Sequence, residues 1–224
     1  MIPVSALIFR TYTGGRVTLG SLPVNRSSSN GEDVPGTSRS AWHVRKRHNC
    51  TTPVILLITG PRGVGKTTLC LRTVTLAKEA RYSCAGLLTL REDDDHRVVV
   101  DVRTGDRRSL TASGPTGVPV GRYLFDPDAL AWGAGILARS TPCDLLVLDE
   151  LGPLEMAGDG WAVGMAVLRE GRFFLALVVV RPELVAEALE RFPDAWAVEV
   201  TPENRDGLPV WLAGLLPPRR CSAP

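Results

Sequence analysis

Between Val54 and Leu69 the chain reads VILLITGPRGVGKTTL, with glycines at 60, 63 and 65, a lysine at 66 and threonines at 67 and 68. The spacing fits G-x-x-x-x-G-K-[ST], and each residue type has a chemical reason to stand where it does. Gly60, Gly63 and Gly65 admit backbone conformations and close approaches that a Cβ obstructs. The loop of Gly60, Pro61, Arg62, Gly63, Val64 and Gly65 can therefore wrap backbone N–H groups around phosphate oxygens. A helix starting at Lys66 adds its unpaired N–H groups and the positive end of its dipole. Lys66 is placed to reach β and γ phosphates, and the Thr67 hydroxyl to ligate Mg²⁺. Thr68 is a second phosphate contact or helix packing. A plain glycine turn explains neither the lysine nor the hydroxyl, so the turn is expected to hold a nucleoside triphosphate.

A second set of candidates lies in DLLVLDELGPLE. Four apolar residues deliver Asp149 to the C-terminal edge of a strand, where ligands sit in open α/β sheets. There it fits the second acid of a Mg²⁺ site, acting through a water. Glu150, expected just beyond the strand, can accept a hydrogen bond from a water and aim it at the γ-phosphorus. The bland alternative is an acid at a helix start. Glu155 reads either as part of the metal and water network or as surface charge. Charge on the γ-phosphoryl oxygens calls for a further cation, and Arg122, Arg108, Arg181 and Arg205 are candidates. Arg181 has the advantage of following a buried strand, on the edge the phosphates use. The Asp-Glu pair favours hydrolysis to diphosphate and phosphate. A nucleotide or small-molecule kinase, and a switch protein gated by nucleotide, remain as alternatives.

These residues need elements to hold them. Val54 to Thr59, DLLVLDE and FFLALVVV are continuous apolar runs, as strands buried on both faces require. Cys70, Val74 and Ala77 place one stripe on a helix over Lys66 to Ala80. CAGLLTLRE and RVVVDVRTG flank Asp93-Asp94-Asp95 as a β-hairpin. Asp126-Pro127 starts a helix to about Arg139. Further helices are expected at Trp161 to Glu170 and from Pro182 to Arg191, with a strand at AWAVEVT between the latter and a closing helix. Leu208, Trp211, Leu212 and Leu215 mark that helix's inner face. The alternation predicts an α/β fold of three layers, a mostly parallel central sheet with helices on both faces and a β-hairpin insertion.

Composition bounds the rest. The 224 residues suffice for one domain, and the net charge of +2 is uneven. Residues 1–50 carry seven Lys or Arg against Glu32 and Asp33, leaving 19 basic and 22 acidic residues in the remainder. The domain is therefore not a basic nucleic-acid platform. Residues 1–52, rich in Ser, Gly, Asn and Arg, read as a disordered leader, 53–217 as the domain, and 218–224 as a disordered tail. Organelle targeting, or a polyanion contact at RKRH, are the functional readings of the leader. Five scattered cysteines point to reduced thiols and a cytoplasmic protein. His43, His48 and Cys50 lack a fourth ligand for a zinc site, and no apolar stretch approaches a membrane span. A monomer or weak oligomer is expected, with no protein partner indicated.

In order, GPRGVGKTTL, a GLLT strand leading into a hairpin, GRYLFD, LDELGPLE and VTPENRDGLP resemble the small nucleoside-triphosphatase family that includes the cancer-related NTPases. The resemblance covers about residues 54–216. It implies a compact, RecA-like P-loop fold and slow, Mg²⁺-dependent hydrolysis of several nucleoside triphosphates, ATP and GTP among them. Lys66 and Thr67 match the phosphate and metal residues, Asp149 the metal acid and Glu150 the water-activating acid. Gly121, Arg122, Asn204 and Arg205 match signature positions, with the last two expected near the nucleotide. The chain departs from the pattern at LREDDDHR, where relatives have Glu-x-Arg, and at Pro153. Those differences bear on base preference and turnover.

Overall fold

The computed structural model describes residues 53–218 and, before them, the backbone of two strands, β1 (Phe9–Thr13) and β2 (Arg16–Gly20). Strand β3 (Val54–Thr59) runs into the glycine loop and α1 (Lys66–Glu79). The antiparallel pair β4 (Cys84–Arg91) and β5 (Arg97–Asp101) flanks the acidic turn. Short strands β6 (Arg107–Ser109), β7 (Val118–Val120) and β8 (Tyr123–Phe125) precede α2 (Pro127–Ala138). Then come β9 (Leu145–Leu151), α3 (Pro153–Ala157), α4 (Val163–Glu170) and β10 (Leu175–Val180). A 3₁₀ turn at Pro182–Leu184, α5 (Val185–Arg191), β11 (Trp196–Glu199) and α6 (Leu208–Ala213) complete the order.

The main sheet has the order β2-β1-β11-β3-β10-β9-β4-β5-β6, and β7-β8 form a separate ribbon. From β11 to β4 neighbouring strands are parallel; β5 and β6 continue antiparallel. This is the expected α/β architecture. The apolar runs divide by alternate residues. In β10, Ala176, Val178 and Val180 face a core shared with α2, α4 and α5, while Leu175, Leu177 and Val179 face one shared with α1 and α6. Each such side chain stabilises the fold by about 1.5–3 kcal/mol when taken out of water, so the strands must sit between two helical layers.

The structure differs from the sequence reading in several places. Two strands lie inside the segment read as a disordered leader, and the remainder of that segment, with His43, His48 and Cys50, lies outside the described residues. Their composition is β-prone and Gly14-Gly15 between them is a two-residue hairpin signal, too short to register as a sustained period. Glu150 lies within β9 rather than beyond it. The helix expected from Trp161 starts at Val163, and the one expected from Pro182 begins as a 3₁₀ turn. Leu215 is 40% exposed while Leu216 is buried, because α6 stops at Ala213 and helical spacing no longer assigns faces beyond it.

Candidate functional site

The loop between β3 and α1 owes its shape to close packing. Gly60 has φ 133°, and a Cβ there would lie 2.6 Å from the Val200 carbonyl oxygen, just after β11. Val64 is buried and packs into the core under α1, and its N–H donates to the Pro61 carbonyl at 3.3 Å. Helix α1 starts at a left-handed Gly65 with no side-chain cap and no acid in its first turn. By contrast, Asp126 caps α2 by accepting from the Asp128 N–H at 2.8 Å. A fourteen-residue helix with an uncapped start presents donors and a positive dipole end to an anion. Lys66 closes the loop by donating to the carbonyls of Gly60 at 2.7 Å and Pro61 at 3.0 Å. Burial lowers its pKa, against the opposing pull of Glu150 and Asp149.

Strand β10 separates β3 from β9, so the carboxylates enter from two strands away. Asp149 is 2% exposed. Its Oδ2 accepts from the Thr89 N–H at 3.3 Å, its carbonyl accepts from the Thr89 hydroxyl at 2.6 Å, and its carboxylate is hydrogen-bonded to Thr67. Burial pushes its pKa up to about 7, Glu150 adds to the rise, and the bonds from Thr67 and Thr89 oppose it. A hydroxyl and a carboxylate already in contact are the hard oxygen donors that suit Mg²⁺, which takes one or two protein ligands and completes its shell with waters and phosphates.

Glu150, joined to Asp149 by a cis peptide, is half-buried and ion-paired through Oε1 with Arg181 Nε. Arg181 follows β10, and its pKa is raised first by that bond. Thus Lys66, Thr67, Asp149, Glu150 and Arg181 line one cavity of about 1010 Å³, which reaches along the C-terminal edge of the sheet to β4, β5, β7 and β8. Gly60, Arg62, Gly63, Gly65 and Thr68 line it as well.

The other candidates divide between this cavity and other places. Arg122 lines the same cavity, bonded to the Asp94 carbonyl and 3.6 Å from Asp95. Arg108 stacks on Trp132 at 5.0 Å. Pro61, Val64, Asn204 and Arg205 are not among the cavity walls. Asn204 instead holds its own turn, accepting from Thr201 N–H and donating to the Glu199 carbonyl, both at 2.9 Å. Arg205 lies with Cδ 4.0 Å from where a Gly65 Cβ would be. Glu155 is not surface charge, and it lines the same cavity. It is buried and accepts from the N–H groups of Gly152 at 2.9 Å and Trp161 at 3.1 Å, fixing α3 beside the site. Sequence reasoning missed Arg97 and Tyr123 as cavity walls, although GRYLFD had been singled out. A smaller hollow of about 500 Å³ beside Lys78, Ser83 and Arg103 lies at the opposite ends of β4 and β9.

A family model described as NTPase matches residues 55–212. The chain is similar to nucleoside-triphosphatase THEP1 of Methanopyrus kandleri, 31% identical over 165 residues that cover 70% of this chain and 91% of that protein. It is similar to the proteins of the same name from Metallosphaera sedula, 33% identical over 69% of this chain and 82% of that one, and from Methanosarcina barkeri, 28% identical over 70% and 94%. The crystal structure of THEP1 from the hyperthermophile Aquifex aeolicus matches its fold with a TM-score of 0.61 at 22% identity, covering 74% of this chain and 100% of that one.

Proposed function

Since the chain belongs to the NTPase family and is a nucleoside-triphosphate hydrolase, we propose that Glu150 orients the attacking water and that Mg²⁺ is its cofactor. The observation that carries this reading is the convergence of Glu150, with its partner Arg181, on the cavity that also holds Lys66, Thr67 and Asp149.

Lys66 donates to two loop carbonyls, and Glu150 pairs with Arg181. Triphosphate oxygens are better acceptors for Lys66 than neutral carbonyls, because a charge-assisted bond is roughly twice as strong. The γ-phosphate likewise draws the Arg181 guanidinium, which frees Glu150 to accept from water. The water oxygen then bonds to the γ-phosphorus as the bond to the β–γ bridging oxygen breaks. The electron pair leaves with the diphosphate, and the water's proton passes to Glu150 or to the departing phosphate. Thr67, and Asp149 through a water, would hold Mg²⁺, which would supply positive charge against the phosphates. Arg122, in the cavity wall, is left to screen the phosphates, and Arg205 with the turn held by Asn204 to sit on the nucleoside side of the loop.

Several bases, ATP and GTP included, are proposed as substrates, because the contacts above all address phosphate. The free, buried thiols of Cys70, Cys84 and Cys143 support a cytoplasmic setting, and among the described residues no helix is long and apolar enough to cross a membrane. A monomer or weak oligomer is proposed, to be checked by sizing.

The test is phosphate release from the four nucleoside triphosphates with Mg²⁺ and with a chelator. Chelation should abolish release. Lys66→Ala should lose binding and turnover together, whereas Glu150→Gln should still bind but turn over about 10²–10⁴-fold more slowly. Undiminished release by Glu150→Gln removes that residue from the mechanism.

A further inference from the structure

On both flanks of β9 the regular pairing of the sheet is interrupted after Leu148. Toward β4 the last paired residues are Leu87 and Leu148. Toward β10 the register passes from Val178 and Leu148 to Val180 and Leu151, so Asp149 and Glu150 together stand opposite the single residue Val179. Such a bulge re-aims side chains at the expense of ladder hydrogen bonds. Successive side chains of a regular strand point to opposite faces, yet Asp149 and Glu150 line one cavity. The same irregularity takes the backbone of the pair off the ladder, and a buried carbonyl needs another donor in its place.

Thr89, two residues beyond Leu87 on β4, supplies that donor. Its hydroxyl donates to the Asp149 carbonyl at 2.6 Å and its N–H to Asp149 Oδ2 at 3.3 Å. The carbonyl belongs to the peptide that joins the two carboxylate residues, so the hydroxyl places Glu150 as well as Asp149. Thr89 is itself held from the far side, where it pairs with the fully buried Val99 of β5. A site is set best by groups on rigid elements whose own positions are locked. Among the described residues the other side-chain ties to the pair are from Thr67 to Asp149 and from Arg181 to Glu150. On the reading above both of those partners are claimed during the reaction, Thr67 by the metal and Arg181 by the γ-phosphate. The bond from the Thr89 hydroxyl is the tie that no ligand competes for.

We propose that Thr89 is the positioning residue of the carboxylate pair: its hydroxyl keeps the Asp149–Glu150 peptide in register while Thr67 turns to the metal and Arg181 to the γ-phosphate. It acts through the two acids rather than on the substrate, and the proposal rests on the roles given to them above. Loss of the hydroxyl leaves the glycine loop, Lys66 and the start of α1 as they are, so the triphosphate still binds. The pair is then free to shift, and a misplacement of about 1 Å costs on the order of 10²-fold in rate. The effect therefore falls on kcat and spares KM.

The experiment measures steady-state phosphate release from ATP with saturating Mg²⁺ by the full chain and by Thr89→Val, Thr89→Ser and Thr89→Ala. Valine keeps the shape and deletes the hydroxyl. Serine and alanine both lack the methyl group and differ in the hydroxyl alone, so their comparison stands even where valine packs badly. Thr89→Val and Thr89→Ala should lower kcat about tenfold or more with KM within about threefold of the parent, and Thr89→Ser should recover most of the loss. Added to Glu150→Gln, Thr89→Val should cost less than it costs the parent, because part of what it positions is already gone. Equal kcat in the serine and alanine variants overturns the proposal. So does a loss confined to KM, which makes Thr89 a binding contact, or losses that multiply in full when combined with Glu150→Gln. Undiminished turnover in Glu150→Gln by itself is a separate failure: it strikes the role of Glu150, and the proposal falls with it.

Discussion

Asp149 lies 2% exposed, with Glu150 next to it and burial pushing its pKa up to about 7. In the metal-free protein this carboxylate is worse placed than in water, since a buried charge without a cation forfeits its hydration. Asp149→Asn keeps the volume, and its amide can meet Thr89 and Thr67 as acceptor and donor. Melting in a chelator should therefore show a stabilisation of about 1–2 kcal/mol, or roughly 2–8 °C for a domain this size, alongside loss of turnover. Added Mg²⁺ with nucleotide should raise the melting temperature of the parent far more than that of Asp149→Asn; a chelator-treated variant less stable than the parent counts against this account. At this scale the sequence spoke clearly where a motif fixes both type and spacing, as for Lys66, Thr67 and Asp149. It left Glu155 open between the site's network and the surface, because DELGPLE does not say which way a carboxylate turns once a short helix follows the strand; burial rules out the surface.

The elements place these residues through a few positions where only glycine fits. Gly86, at φ 111° in the middle of β4, is the severest: a Cβ there would lie 1.9 Å from the Val147 carbonyl oxygen on β9. Its own carbonyl accepts from the Val102 N–H at 3.0 Å, at the end of β5, so three stretches of backbone meet at one residue. Gly86→Ala must push β4 off the strand that carries Asp149 and should cost more than about 3 kcal/mol. Gly105→Ala, at φ 84° with nothing within 4 Å, should cost only the left-handed strain of about 1–2 kcal/mol. Urea midpoints of the two variants test the contrast, and equal midpoints would sink it. The long strands and α1 were legible because their apolar periods run for several turns or alternations. The three-residue strands β6, β7 and β8 and the five-residue α3 were not, for a stretch that short contains no period to detect, and their pairing is decided by distant chain. GRYLFD is an instance: its residues stood out, but not that β7 and β8 fold them against the cavity.

Across the whole molecule the sheet divides the interior into two apolar layers, and the thiols report on both. Cys143 lies in one layer and Cys70 and Cys84 in the other. Burial pushes Cys84 up to about 11 and Cys143 up to about 12, and raises Cys70 well above its usual value. Since the thiolate is the reactive form, all three should resist alkylation at neutral pH until the domain opens. Mass spectrometry of pulse-labelled protein should find them modified together at the unfolding transition, and early labelling of any one would show that its layer opens alone. Fold class could be read from the alternation of strands and helices, but strand order could not, because parallel neighbours are chosen by tertiary packing rather than by adjacent sequence. That order has a mechanical meaning. With β10 lying between β3 and β9, the span from cradle to carboxylates is two interstrand steps, about 9.5 Å, a gauge set by backbone hydrogen bonds rather than by any side chain. Substitutions can change what reaches into that span but not its width, so among variants of this chain the reactive spacing behaves like a track laid at fixed width.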